Sequence, residues 1–143
     1  MGKATAPKPL RWCTFRDGQG KRWTVDLTDS EIDYDSLTGP SGEPYAGCTL
    51  YDYHRIVVDL TEELWDQDVI LLHEIMHVAC NDSALRDELK EIRMKDKAGK
   101  AEEAVIRAVS TALYKILKQF GLRWPKKPAG VRAVRTRKVK LDD

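Results

Sequence analysis

Residues 73 to 77 read His-Glu-Ile-Met-His, inside the otherwise apolar stretch VILLHEIMHVAC of residues 69 to 80. At about 100° per residue, Val69, Leu72, Met76 and Ala79 fall on one side of a helix, and Leu71, Ile75 and Val78 fall roughly opposite. A helix apolar on two opposite sides is buried, not laid on a surface. Buried polar groups cost on the order of several kcal/mol unless they find partners. His73, Glu74 and His77 therefore need a partner, and a metal ion would serve. The spacing is H-E-x-x-H. Four residues along a helix bring the two imidazoles to one side, roughly 6 Å apart, which suits shared coordination of zinc. Glu74 lies about 100° around, out of ligand position, where it can act as general base toward a water that the metal activates.

A catalytic zinc wants a third protein ligand and one open position. No histidine follows His77, so another residue type must supply it. The next long helical pattern, residues 101 to 119, offers Glu102 and Glu103. With Glu102 as origin, Ile106, Val109, Leu113, Ile116 and Phe120 fall within about 40° of it, whereas Glu103 points about 100° away. A carboxylate in line with an apolar face requires charge compensation, so the pattern predicts Glu102 as the third ligand. Glu103 is left as a group that could support a histidine from behind. Cys80, on the His73/His77 face one turn beyond, reads first as a small packing cysteine and second as a group that could bind the metal. His54, Tyr51 and Tyr53 precede the helix; each reads first as strand packing and second as a helper that could stabilise an oxyanion.

The elements that must position these groups are strands followed by helices, an α+β order. RWCTF and KRWTVDL flank a Gly-bearing connection and read as a hairpin. Residues 38 to 47, with three glycines and two prolines, are loop. CTLYDY and HRIVVDL follow as short strands, with His54, Ile56, Val58 and Leu60 sharing one face of the second. The histidine helix starts near Thr61 or Asp66 and ends around Asn81. Residues 83 to 94 read as a short amphipathic helix, and Gly121 stops the long one. These signals divide the chain into a leader, 1–10, one domain, 11–124, and a basic C-terminal tail, 125–143.

Composition narrows the class. The chain has 143 residues, 42% of them hydrophobic and 33% charged, which suits one globular domain. No apolar run approaches the roughly 20 residues of a membrane span, and the N-terminus lacks the apolar core of a secretory signal. Three cysteines without a CxxC pair argue against a disulfide framework, which points to the cytoplasm. Net charge is only +1, yet residues 26 to 68 carry twelve acidic residues against Arg55, and residues 126 to 140 carry seven basic ones and no acidic one. Such a tail could bind nucleic acid or an acidic partner; its composition predicts that the domain folds without it.

HEIMH followed 25 residues later by EEAVIRAVSTAL resembles the gluzincins, zincin metallopeptidases whose His-Glu-His zinc site is assembled from two helices. The HRIVVDL strand and the small size resemble the ImmA/IrrE-like peptidases and similar small phage-encoded zincins. The resemblance covers roughly residues 47 to 120. It implies a minimal zincin-like fold: a small, mostly antiparallel sheet on a buried active-site helix, with a second long helix carrying the third ligand. It also implies that the strand before the active-site helix, here residues 54 to 60, lies at the sheet edge and pairs with substrate backbone. The chain departs from the pattern at Ile106, where many gluzincins place an Asp that orients a histidine. No helix-turn-helix is evident, and the third histidine of SprT-like proteases is missing.

The resulting expectation is a zinc-dependent endopeptidase acting on protein or peptide substrates, with His73, His77 and Glu102 on the metal and Glu74 as general base. The expectation from another class is a zinc-containing regulatory or nucleic-acid-associated binding protein, motivated by the tail.

Overall fold

The computed structural model describes residues 8–81 and 99–128. The expected helix at residues 83–94 and most of the basic tail lie outside the described residues. Four strands, β1 (Leu10–Arg16), β2 (Arg22–Thr28), β3 (Gly47–Leu50) and β4 (Arg55–Asp59), precede two helices, α1 (Leu64–Cys80) and α2 (Lys100–Gln119). The coarse class is α+β, as the element order predicts.

The strands form one sheet in the order β1-β2-β4-β3. The hairpin pairing β1–β2 and the pairing β3–β4 are antiparallel, but β2 and β4 run parallel at the centre, so the sheet is mixed. A bulge between Arg11 and Cys13 leaves Trp12 unpaired and turns both Trp12 and Cys13 toward the core. Trp23, Val25 and Leu27 of β2 join Ile56 and Val58 of β4, with Leu60, Leu71 and Val78, in the main cluster.

The expectation that residues 54 to 60 form an edge strand is corrected. β4 is interior, and the edge on that side is β3. The reason is visible in β4 itself: Ile56, Val57 and Val58 are consecutive and all fully buried. A strand apolar on both faces belongs in the middle of a covered sheet, where both its backbone edges are also paired. His54 is not in the strand. It adopts a left-handed turn conformation, φ 48°, after a short 3-10 turn at Tyr51–Tyr53.

On the sheet face away from Ile56 and Val58, a charge network ties three strands and a loop. Asp26 accepts from Arg11 Nε at 2.6 Å and from Arg55 Nε at 2.8 Å, and Arg55 also meets Asp33 at 3.3 Å. Thr28 donates to the same Asp33 oxygen at 2.7 Å. Burial alone would push the Asp33 carboxyl up, but the Arg55 guanidinium and the Thr28 hydroxyl outweigh it and hold it below the ordinary value.

The C-terminal segment folds back onto this core. Trp12 Nε1 donates to the Pro125 carbonyl at 2.9 Å, and Lys127 Nζ lies 5.2 Å over the Trp12 ring and 2.7 Å from Asp68 Oδ1. The domain therefore reaches at least Lys127, past the boundary drawn at residue 125. Composition misplaces it because Lys and Pro look like solvated tail until their backbone carbonyl and ammonium find partners.

Two outcomes follow for stability. A chain ending at Trp124 should be less stable than one ending at Pro128 by about 1–2 kcal/mol in urea unfolding, because it loses a partly buried hydrogen bond, an ion pair and a cation–π contact; equal midpoints would mean the segment is not part of the fold. The lowered Asp33 value also fixes a sign. Its contribution is present above its unfolded pKa, about 4, and is lost as pH falls through the lower folded value. Between pH 5 and 2, the parent should lose stability more steeply than Asp33→Asn, measured by urea midpoint at each pH.

Candidate metal centre

α1 presents His73, Glu74 and His77. Its start is pinned by Gln67, a buried side chain whose Nε2 donates to the carbonyls of Leu60 at 3.1 Å and Glu62 at 3.0 Å. This bond ties the helix to the end of β4. Leu71 and Val78 of α1 enter the core cluster, Leu72 is buried, and Ile75 and Met76 are half-buried. The expected two-sided burial thus holds, except that Ala79 is exposed.

α2 lies antiparallel to α1. Near its C-terminal half Tyr114 donates to Asp68 at 2.7 Å, and in its first turn Glu102 and Glu103 meet the histidines. Carboxylates in the first turn also complement the helix dipole. The face of α2 that turns inward is Ile106, Ser110 and Tyr114; of the stripe expected from the sequence, Ile106 is buried and Leu113 half-buried, but the rest turns outward. Val109, Ile116 and Phe120 are 39%, 49% and 79% exposed. Ser110 tolerates burial because its hydroxyl bonds to the Ile106 carbonyl one turn back.

This rotation brings Glu103, where Glu102 was expected, to the point where the histidines converge. His73 Nε2 and His77 Nε2 are 3.2 Å apart. The Glu103 carboxylate lies 3.1 Å from the first and 2.7 Å from the second. Ligand atoms about 2.0–2.1 Å from a tetrahedral zinc stand about 3.3 Å from one another; two of the three separations are near that value, and the 2.7 Å contact between Glu103 and His77 would have to open by about half an ångström to admit the ion. They are also the three residues whose donor atoms cluster closely enough to hold a metal among the described residues. Glu102 takes the other side of His77, with Oε1 2.9 Å from Nδ1. That is the position of a carboxylate that orients a ligating imidazole. The two glutamates thus stand in each other's expected places, because the apolar stripe gives the wrong angle of rotation for α2.

The electrostatics agree with a site built for a cation. A neutral imidazole has one N–H, yet His77 faces a carboxylate at each nitrogen. Burial works against its charged form, but Glu102, Glu74 and Glu103 outweigh that and raise its pKa. Burial also pushes Glu103 up, but His73 and His77 bring it below the ordinary range.

Glu74 meets β3, lines the same cavities as His73 and Glu103, and is 7% exposed. The Thr49 hydroxyl donates to its Oε2 at 2.5 Å. Burial is the largest influence on its carboxyl and lifts its pKa, while the Thr49 bond and the nearby histidines oppose the rise without cancelling it. Gly47, beside it on β3, is required by space. A Cβ there would lie 2.6 Å from Ile70 Cγ2 and 3.4 Å from Glu74 Oε1.

Two cavities, about 410 and 380 Å³, flank the cluster and share Tyr45, Gly47, His73, Glu74, Glu103 and Arg107 in their walls. Cys48, Thr49 and Tyr51 add to the smaller one. His54 and Tyr53 line neither. His54 packs edge-on against Trp23 at 5.2 Å, and Tyr53 is 78% exposed, so only Tyr51 of the three expected helpers borders the site. Cys80 is not part of the cluster. Thr49, Tyr45 and Arg107 went unread in the sequence, since each sits in an element whose local pattern says nothing of the cleft. No protein-family model, curated protein or solved structure matches the chain.

Gly47→Ala should destabilise the fold by about 1–3 kcal/mol through its clash with Ile70. Adding Ile70→Leu, which removes the offending methyl branch, should restore part of the loss in a thermal melt. No rescue would place the strain elsewhere.

Proposed function

We propose that the chain is a zinc-dependent peptidase. The observation that carries this reading is the convergence of His73, His77 and Glu103, close enough to share one metal ion, beside the buried carboxylate of Glu74. The donor set of two imidazole nitrogens and one carboxylate oxygen suits zinc and leaves one position open. Zinc, when bound, supplies a Lewis acid that polarises a carbonyl and makes water acidic enough to react near neutral pH.

The protein groups then divide the work. Glu102 holds the His77 ring by Nδ1 and leaves Nε2 for the metal. Glu74 does not ligate; its carboxylate accepts a proton from the attacking water and returns it to the departing amine. Thr49 fixes the carboxylate's orientation for both transfers. Tyr51, which lines the smaller cavity, is a candidate to steady a developing oxyanion.

The substrate's path follows β3, the strand that occupies the edge in place of residues 54 to 60. Asp59 N–H donates to Ala46 O at 2.8 Å, and Gly47 pairs with Val58 in register. By antiparallel alternation, the amides and carbonyls of Gly47 and Thr49 face away from β4, along the open edge beside Glu74. An extended peptide laid there would add a strand and carry its backbone past the metal.

The test is zinc content by elemental analysis of untagged protein, alongside turnover of an unfolded protein substrate. About one zinc per chain is expected. Glu103→Gln should lose most of it, Glu102→Gln should weaken affinity roughly 10–100-fold, and Glu74→Gln should keep zinc and lose turnover. A folded parent that takes up no added zinc would overturn the proposal, and so would undiminished turnover in Glu74→Gln.

A further inference from the structure

Arg107 stands four residues beyond Glu103, one turn further along α2, and borders both cavities. It is the one Lys or Arg among their lining residues, which also include the carboxyl groups of Glu74 and Glu103. Its Nη2 lies 3.4 Å from Glu103 Oε1, the same oxygen that stands 3.1 Å from His73 Nε2. The guanidinium is thus one carboxylate away from the metal cluster.

The bond to Glu103 does not account for the residue. It is long, it joins an exposed i,i+4 pair with Arg107 78% exposed, and such pairs are worth little. Once a cation engages Glu103, that carboxylate's charge is committed and its hold on Arg107 weakens further. What then remains is a planar fork of N–H donors on a long side chain, open to solvent, at the wall of the cleft. Such a fork matches a carboxylate in two-point geometry. Its exposure and reach do not suit the stabilisation of an oxyanion, which needs donors held rigidly in place. They suit capture of a group carried by the substrate.

Resting on the peptidase reading, we infer that Arg107 selects substrates with a carboxylate, an Asp or Glu side chain within about two residues of the scissile bond. Without it, the acidic groups of the cleft would repel such substrates. With it, the cleft pairs an anion with a cation one helical turn from the reaction centre.

The first experiment profiles the zinc-loaded protein on a proteome-derived peptide library, with cleavage sites read by mass spectrometry. The parent's sites should be enriched in Asp or Glu beside the bond. Arg107→Ala should lose that enrichment, and Arg107→Glu should replace it with Lys or Arg. Zinc content should be unchanged in both variants. A parent profile indifferent to acidic residues, or an enrichment that survives Arg107→Ala, overturns the inference. The second experiment needs no turnover: binding of the hydroxamates of Glu and of Gln to the zinc-loaded protein by calorimetry. The parent should prefer the Glu compound about tenfold, and Arg107→Ala should erase the difference. If no peptide is cut but this preference holds, the peptidase reading fails and the anion site stands. If the parent binds both compounds equally, the anion site fails whatever the protein cleaves.

Discussion

The structure turns on one imidazole. His77 is half-buried, and both its nitrogens must be met. α2 meets them with adjacent residues, Glu102 at Nδ1 and Glu103 at Nε2. Side chains next to each other on a helix diverge by about 100°, so two of them can hold one ring only if it sits at the flank between them. That requirement fixes the rotation of α2. With Glu103 facing His73 and His77, Ile106, Ser110 and Tyr114 follow it inward, and Tyr114 reaches Asp68 at the opposite end of α1. One polar demand thus aligns two helices along their length.

The sheet serves the same site by bringing backbone close to a helix. β4 is buried on both faces and holds the centre, which leaves the short β3 outside it and next to α1. Gly47 permits that approach, because any larger residue would meet Ile70. The result places the Thr49 hydroxyl on the Glu74 carboxylate and sets beside it a strand edge that pairs with no other strand among the described residues. Glu74 is therefore buried by backbone and by a neighbouring hydroxyl, not by apolar side chains alone. This keeps it oriented while it stays in reach of the cleft.

Two further polar ties hold the frame from outside the site. Asp26 and Asp33 receive Arg11 and Arg55 on the sheet face away from the core cluster, joining β1, β2, β4 and the loop after β2. Asp68 receives Tyr114 and Lys127, joining α1, α2 and the segment after α2. In both, an acidic residue that looks like ordinary surface charge in the sequence is a junction between elements. Acidic excess over residues 26 to 68 is in this sense partly structural, since several of its members have specific cationic partners. No helix among the described residues is long and apolar enough to cross a membrane.

The sequence by itself determined what depends on spacing within one element. H-E-x-x-H on a two-sided apolar helix specifies two imidazoles together and a glutamate apart, because 3.6 residues per turn leaves no other arrangement. The hairpin and the bounds of the long helix are legible for the same reason. Tertiary structure decided what depends on angles and order between elements. Periodicity gives the relative bearing of Glu102 and Glu103 but not which of them faces α1, and on α2 the most apolar stripe is not the buried one. A polar contact, the pair of carboxylates about His77, outweighed the apolar pattern in choosing the face. Strand order was hidden likewise: consecutive burial in β4 marks a central strand, but only pairing across the sheet makes β3 the edge. Arg107, Tyr45 and Thr49 reach the cleft from three separate elements, and no local pattern can record a meeting made by their packing.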